Sequence, residues 1–215
     1  MENTVEQKTN SKGVFIFLFS FIAALSLAGF VWLKSVQEDR IANENKLTDF
    51  GALPKFNFEE RNGSTIGPDQ LKGKVWVVNF IFTTCHGPCI LMSEKMAEIQ
   101  KSISKTKGDV KLVSITVDPE TDTPELLKAY ADKMGAKDNW LFVRGTYDET
   151  QKLAKQGFKM TLEKDSTAVD GDDFIHSVKF VLVDKKGHIR GYYNSEEPEF
   201  HAKLINDVGV MLRES

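Results

Sequence analysis

The sequence predicts an α/β fold, a central mixed sheet flanked by helices, behind an N-terminal transmembrane helix. Three observations predict it. The runs Lys74 to Phe82 (KVWVVNFIF) and Val110 to Val117 (VKLVSITV) are nearly unbroken series of β-branched and aromatic residues, as expected of strands buried on both faces. Segments with helical spacing alternate with these runs, which implies parallel pairing at the centre of one sheet. Ahead of both lies Val14 to Leu33 (VFIFLFSFIAALSLAGFVWL), which carries no charge. Its length is about the ~20 residues a helix needs to cross ~30 Å of hydrocarbon.

The elements follow in chain order. Lys55 to Glu59 alternates and reads as a short strand, and Arg61-Asn62-Gly63 carries the Asn-Gly hairpin signal. After the first central strand, Pro88 to about Ser104 places Ile90, Leu91, Met96, Ile99 and Ile103 at helical spacing. Met92 and Met96 fit the core side of this helix better than a thioether metal site. After the second central strand, Thr123 is an N-cap with Pro124 at the first helical position, and the helix runs to Met134, ending near Gly135. Asp118 and Asp122 read as a turn and a helix entry. Trp140 to Val143 is a third strand and Tyr147 to about Gln156 a short helix. Lys159 to Asp173 is a polar excursion. Ser177 to Val183 and His188 to Tyr193 are strands joined through Asp184-Lys185-Lys186-Gly187, and Glu197 to about Leu212 is a closing helix. A hairpin, β-α-β-α-β-α, a second hairpin and a last helix make the thioredoxin-like arrangement.

Four regions result: a tail (1–13), a transmembrane anchor (14–33), a polar tether (34–48) and one α/β domain (49–215). Ser26-Leu27-Ala28 resembles a signal-peptide cleavage site, but Phe30 to Leu33 continues the apolar run past it, which favours an anchor. The tail contains Glu2 and Glu6 and no Arg, unlike a mitochondrial transit peptide. The expected location is a bacterial inner membrane, crossed once, with the domain facing the periplasm or the outside. Charged residues make up 27% of the 215-residue chain, net charge −3, with both signs interspersed. No basic stripe marks a nucleic-acid surface.

The chain has 2 cysteines, four positions apart, in Phe82-Thr83-Thr84-Cys85-His86-Gly87-Pro88-Cys89. That is a local site rather than a disulfide framework. Cys85 falls in the loop after the first central strand and Cys89 in the first helical turn, at the carboxyl edge of the sheet, where α/β folds form their sites. At this spacing the side chains can face one another, suiting either a redox pair or two ligands to one metal. The helix N-terminus favours thiolates. Two thiolates do not complete a structural zinc site, but they suit Cu(I), with a third ligand from elsewhere. His188, beside a turn, and His201, on a charged helix face, read as solvated.

At these residues the sequence resembles the SCO/SenC proteins, copper-binding assembly factors for cytochrome c oxidase. The likeness rests on Cys85-x-x-x-Cys89 after an F-x-F-T strand end. It rests also on Asp118-Pro119-Glu120-Thr121-Asp122-Thr123-Pro124-Glu125 leading into Leu127-Lys128-Ala129-Tyr130, on His176-Ser177 before a strand with Asp173 upstream, and on the single anchor. It covers roughly residues 50 to 213. The resemblance implies that Cys85, Cys89 and His176 bind copper, as Cu(I) or Cu(II). It also implies a metallochaperone role towards the copper-bearing subunit of the oxidase or another envelope cuproprotein, loaded by a copper donor protein. Asp165 to Asp173 then reads as a solvated lid that carries His176 to the cysteines. The family usually has Pro after each cysteine; here His86 and Ile90 stand there, and His86 can tune the thiols or offer another imidazole. Two enzymatic alternatives use the same cysteines. One is a thiol–disulfide oxidoreductase, against which C-x₃-C in place of C-x₂-C argues. The other is a peroxidase with Cys85 as the reacting thiol.

Overall fold

The structure, a computed structural model, describes residues 25–37, 46–85, 87–106, 109–160 and 178–214. The chain divides into two compact units between Lys46 and Leu47. In the first, residues 25–37 form helix α1, on which Leu27, Phe30, Val31, Trp32 and Leu33 are exposed. Among the described residues no helix is long and apolar enough to cross a membrane. Residues 14–24 of the expected span and 38–45 of the expected tether lie outside them.

Among the described residues, the second unit is built on a seven-stranded sheet in the order β2-β1-β5-β4-β3-β6-β7. Its strands are β1 (Phe58–Glu60), β2 (Thr65–Ile66), β3 (Val75–Ile81), β4 (Val110–Thr116), β5 (Trp140–Arg144), β6 (Lys179–Val183) and β7 (Ile189–Asn194). The pairs β3–β4 and β4–β5 are parallel, and antiparallel hairpins extend the sheet on both sides. The mixed sheet expected from the alternation of runs is therefore present, and every residue of β3 is buried.

Strand alternation divides the core. Val75, Val77 and Ile81 face helices α2 (Pro88–Ser102), α3 (Pro124–Lys133) and α5 (Phe200–Arg213), where Met92, Met96, Ile99, Leu127, Leu204 and Val208 are buried. Met92 and Met96 thus belong to the core, as their spacing predicts. Trp76, Val78, Phe80 and Phe82 pack on the other side with Leu153, Ala154 and Phe158. Each large apolar side chain taken from water contributes about 1.5–3 kcal/mol. A polar chain stitches the central strands: Trp140 Nε1 donates to Ser114 Oγ (2.9 Å), which donates to Asn79 Oδ1 (2.7 Å). Thr123 caps α3 with Pro124 in the first turn, and Gly135 leaves the helix at φ 68°, a conformation glycine adopts without steric cost.

Some expectations are corrected. The first strand spans Phe58–Glu60 rather than starting at Lys55, because its ladder to β5 involves only Glu59 and Glu60; Phe56 instead packs its ring on Phe58 at 5.1 Å. The single helix expected over Tyr147 to Gln156 is α4 (Tyr147–Lys152) followed by a π-helical turn, Leu153–Gly157. That wider turn brings Phe158 edge-on against Phe80, with centroids 5.5 Å apart. Met160, which the sequence places in a polar excursion, is buried in the core that also contains Cys85 and Cys89. Its N–H donates to the Ala154 carbonyl at 2.9 Å.

Candidate functional site

The site lies where β3 ends. Ile81 closes the strand, Phe82 is buried, Thr83 and Thr84 form a turn, and Cys85 follows. The Cys85 N–H donates to the Phe82 carbonyl at 3.4 Å. Cys89 is the second residue of α2, so the loop and the first helical turn present the two sulfur-bearing residues together. Both are thiols, and both are buried, at 3% and 5% exposure. Gly87 stands at the N-cap with no side chain to cap the helix, and the first turn contains no acidic residue. The exposed N–H groups and the positive end of the α2 dipole are therefore directed at the cysteine loop.

Two sets of polar side chains hold this loop, and the sequence reading assigned neither. Asp122 is fully buried. It accepts from Thr83 Oγ1 (2.5 Å), from the Thr83 N–H (3.1 and 3.2 Å to its two oxygens) and from Thr116 Oγ1 (2.5 Å). Burial pushes its carboxyl above the usual range, against the opposing pull of these hydrogen bonds. Asp122 stands at the entry of α3, as read from the sequence, and is also a tie between the cysteine loop and β4. The sequence does contain a signal: Thr123 already caps α3, so the carboxylate just before it is spare. On the other flank, Tyr130 of α3 shares a hydrogen bond with Ser93 of α2 (2.9 Å), and its hydroxyl reaches the Cys89 carbonyl at 3.5 Å. Burial and the nearby cysteines push the Tyr130 hydroxyl up to about 12.

Of the predicted site residues, the structure places Cys85 and Cys89 in one buried cluster. His176 lies outside the described residues, as do His86 and the segment Asp165 to Asp173. Among the described residues no group of three or more His, Cys, Asp or Glu side chains could hold a metal ion. The two thiols are thus two soft donors of an incomplete set, which fits copper, an ion that takes thiolate ligands and needs a further donor. His188 and His201 lie elsewhere. His188, at the β6–β7 turn, has Nδ1 2.9 Å from an Asp49 oxygen, and His201 Nε2 lies 3.1 Å from Ser102 Oγ.

Residues 45–211 match the family model described as SCO1/SenC. The chain belongs to the SCO1/SenC family. It is 35% identical over 156 residues to the SCO1 protein homolog of Bacillus subtilis, covering 71% of this chain and 79% of that one. A SCO1/SenC family lipoprotein from Bacillus anthracis has a similar structure, with TM-score 0.68, 32% identity and coverage of 76% of this chain and 97% of that one. So does BsSco, described with a disulfide switch and as a member of the Sco family of cytochrome c oxidase assembly proteins: TM-score 0.68, 31% identity, 78% and 98% covered. Bradyrhizobium japonicum ScoI, solved with copper bound, shares the fold at 23% identity and TM-score 0.64, covering 75% of this chain and all of that one, 100%.

Proposed function

We propose that this SCO1/SenC protein is a copper metallochaperone that binds copper through Cys85, Cys89 and His176 and assists assembly of the copper centre of cytochrome c oxidase. The observation that carries the reading is the burial of two thiols at the carboxyl edge of β3, under an uncapped helix N-terminus. Topology supports the third ligand. β6 runs antiparallel to β3 with Val181 opposite Val78, and carrying that register onward sets Val178 beside Ile81. His176 comes two residues before Val178 in the sequence, and two residues of chain span at most about 7 Å. That is the edge from which the cysteine loop leaves. The relatives' descriptions support both the copper and the oxidase.

Residues 14–33 serve in this reading as a single-pass anchor in a bacterial inner membrane, with 34–48 as tether and the domain on the outer side. The Bacillus anthracis relative is described as a lipoprotein. This chain's only cysteines are Cys85 and Cys89, so residues 1–84 offer no thiol to carry a lipid, which favours the apolar run as the membrane attachment. The acceptor is the copper-bearing subunit of the oxidase or another envelope cuproprotein, and a donor protein supplies the ion.

The test is an anaerobic Cu(I) titration of the full chain in detergent, followed by absorption spectra. One ion per chain is expected, with binding lost in Cys85→Ser and Cys89→Ser and sharply weakened in His176→Ala. Stoichiometric binding at full affinity without Cys89 overturns the reading. The thiol pair and the relative described with a disulfide switch favour a second reading, thiol–disulfide oxidoreduction on envelope proteins. Disulfide-reducing turnover unaffected by His176→Ala would select it over the first.

A further inference from the structure

We infer that Asp122 is a positioning residue for Cys85: it latches the loop between β3 and α2 so that the two thiols are held in register for each other and for a shared ligand. The inference deepens the copper reading and rests on it for the identity of that ligand. The latch itself rests on geometry alone.

Asp122 is 39 positions from Thr83 and has two oxygens with three donors aimed at them. One donor is the Thr83 main-chain N–H and a second is the Thr83 hydroxyl, two residues before Cys85. The third is the Thr116 hydroxyl on the last residue of β4. Thr116 Oγ1 in turn accepts from the Asp118 N–H at 3.1 Å. The carboxylate therefore fixes both main chain and side chain at the point where the chain leaves β3, and ties that point to the neighbouring parallel strand. Cys89 needs no such tie, because it lies within the hydrogen-bonded frame of α2 and is backed by Tyr130. Cys85, outside any regular element, has its path set by the turn that Asp122 holds.

A carboxylate accepts at both oxygens; an amide accepts at one and donates at the other. Asp122→Asn keeps the shape but sets an N–H₂ against a hydroxyl or the Thr83 N–H. Thr83→Val removes the hydroxyl donor while keeping the β-branched shape, and Thr83→Ser retains the donor.

The experiment equilibrates the full chain in detergent, without metal, against glutathione buffers, and counts free thiols after acid quench. In the reaction Cys85 and Cys89 lose two protons and two electrons and form one S–S bond. Glutathione disulfide takes them up and leaves as two glutathione thiols. Loosening the loop lowers the encounter of the two sulfurs, so the equilibrium constant for oxidation falls. A fall of about tenfold, ~30 mV, is expected in Asp122→Asn and a smaller one in Thr83→Val, with Thr83→Ser like wild type. A residue with only a structural role would lower the unfolding midpoint and leave this constant unchanged. A constant within twofold of wild type in folded Asp122→Asn overturns the inference. Should that variant not fold, the same result in Thr83→Val overturns it. Because no metal is present, failure of copper binding would end the copper reading and leave this result standing, and an unchanged thiol equilibrium beside normal copper binding would do the reverse.

Discussion

The two ends of the sheet bury carboxylates in different company. At the turn end, Asp184 receives Arg190 Nη1 at 2.9 Å and the N–H groups of Lys186 and His188. Arg190 also donates to the Leu47 and Thr48 carbonyls and reaches Glu214 at 3.2 Å. One ion pair therefore gathers the entry of the domain, the β6–β7 hairpin and the end of α5. At the cysteine end, Asp122 is held by two hydroxyls and an amide, with no cation hydrogen-bonded to it among the described residues. An opposite charge offsets the desolvation of Asp184, whereas hydrogen bonds alone carry that of Asp122. The turn end is organised to secure the chain; the cysteine end holds a loop in shape at a cost in stability.

The largest expected effect lies at the turn end. Arg190→Ala strands Asp184 without its cation and releases residues 47–48, and should lower unfolding free energy by about 3 kcal/mol in urea. The thiol–disulfide equilibrium should not move. A loss below about 1 kcal/mol would erase the contrast between the ends.

Asp122→Asn should cost less, about 1–2 kcal/mol, with a pH dependence of defined sign. Burial holds the folded carboxyl above its ordinary value of 3.8. Its contribution is therefore fully present below that value and is lost as pH rises through the raised one. The amide does not titrate, so the variant's deficit should be larger at pH 4 than at pH 7. Urea midpoints at the two pH values check this, and a deficit that grows with pH would show a carboxylate stabilised in the fold.

Tyr130→Phe should cost about 1 kcal/mol through the lost hydroxyl bonds. Tyr130 is raised from 10.0 to about 12, so its stabilising contribution is present below pH 10 and lost as pH rises through about 12. Alkaline difference spectra of the variant should lack one phenol titrating near 12. Smallest of all is Asp49→Asn, which removes an exposed partner of His188. Surface pairs of this kind contribute little, and the thermal midpoint at pH 7 should stay within error of wild type.

Much of the frame was legible because it depends on periodic patterns. The runs that became β3 and β4 are hydrophobic on both faces, and their shortness and β-branched content suit a doubly covered strand rather than a buried helix. The Thr123-Pro124 start of α3 is local chemistry, and the structure has it where the sequence puts it. The turn after Leu153 was not legible. A π-helical turn differs from an α-helix only in a hydrogen bond that spans one residue more, and it is accompanied by the fit of Phe158 against Phe80 across the core. The burial of Met160 was hidden for the same reason, since one apolar residue beside a polar stretch has no periodicity to reveal its face.

At the site the division is sharper. That Cys85 and Cys89 belong to one site is legible in the sequence, because four positions across a helix start put two side chains within reach of each other. That Asp122 holds Thr83 belongs to the tertiary structure alone. A polar side chain can satisfy its hydrogen bonds with water, with its own turn or with a distant strand, and nothing in the local pattern distinguishes these. Only the parallel pairing of β3 and β4 sets the ends of both strands side by side. That brings Thr83 and Thr116 to one carboxylate.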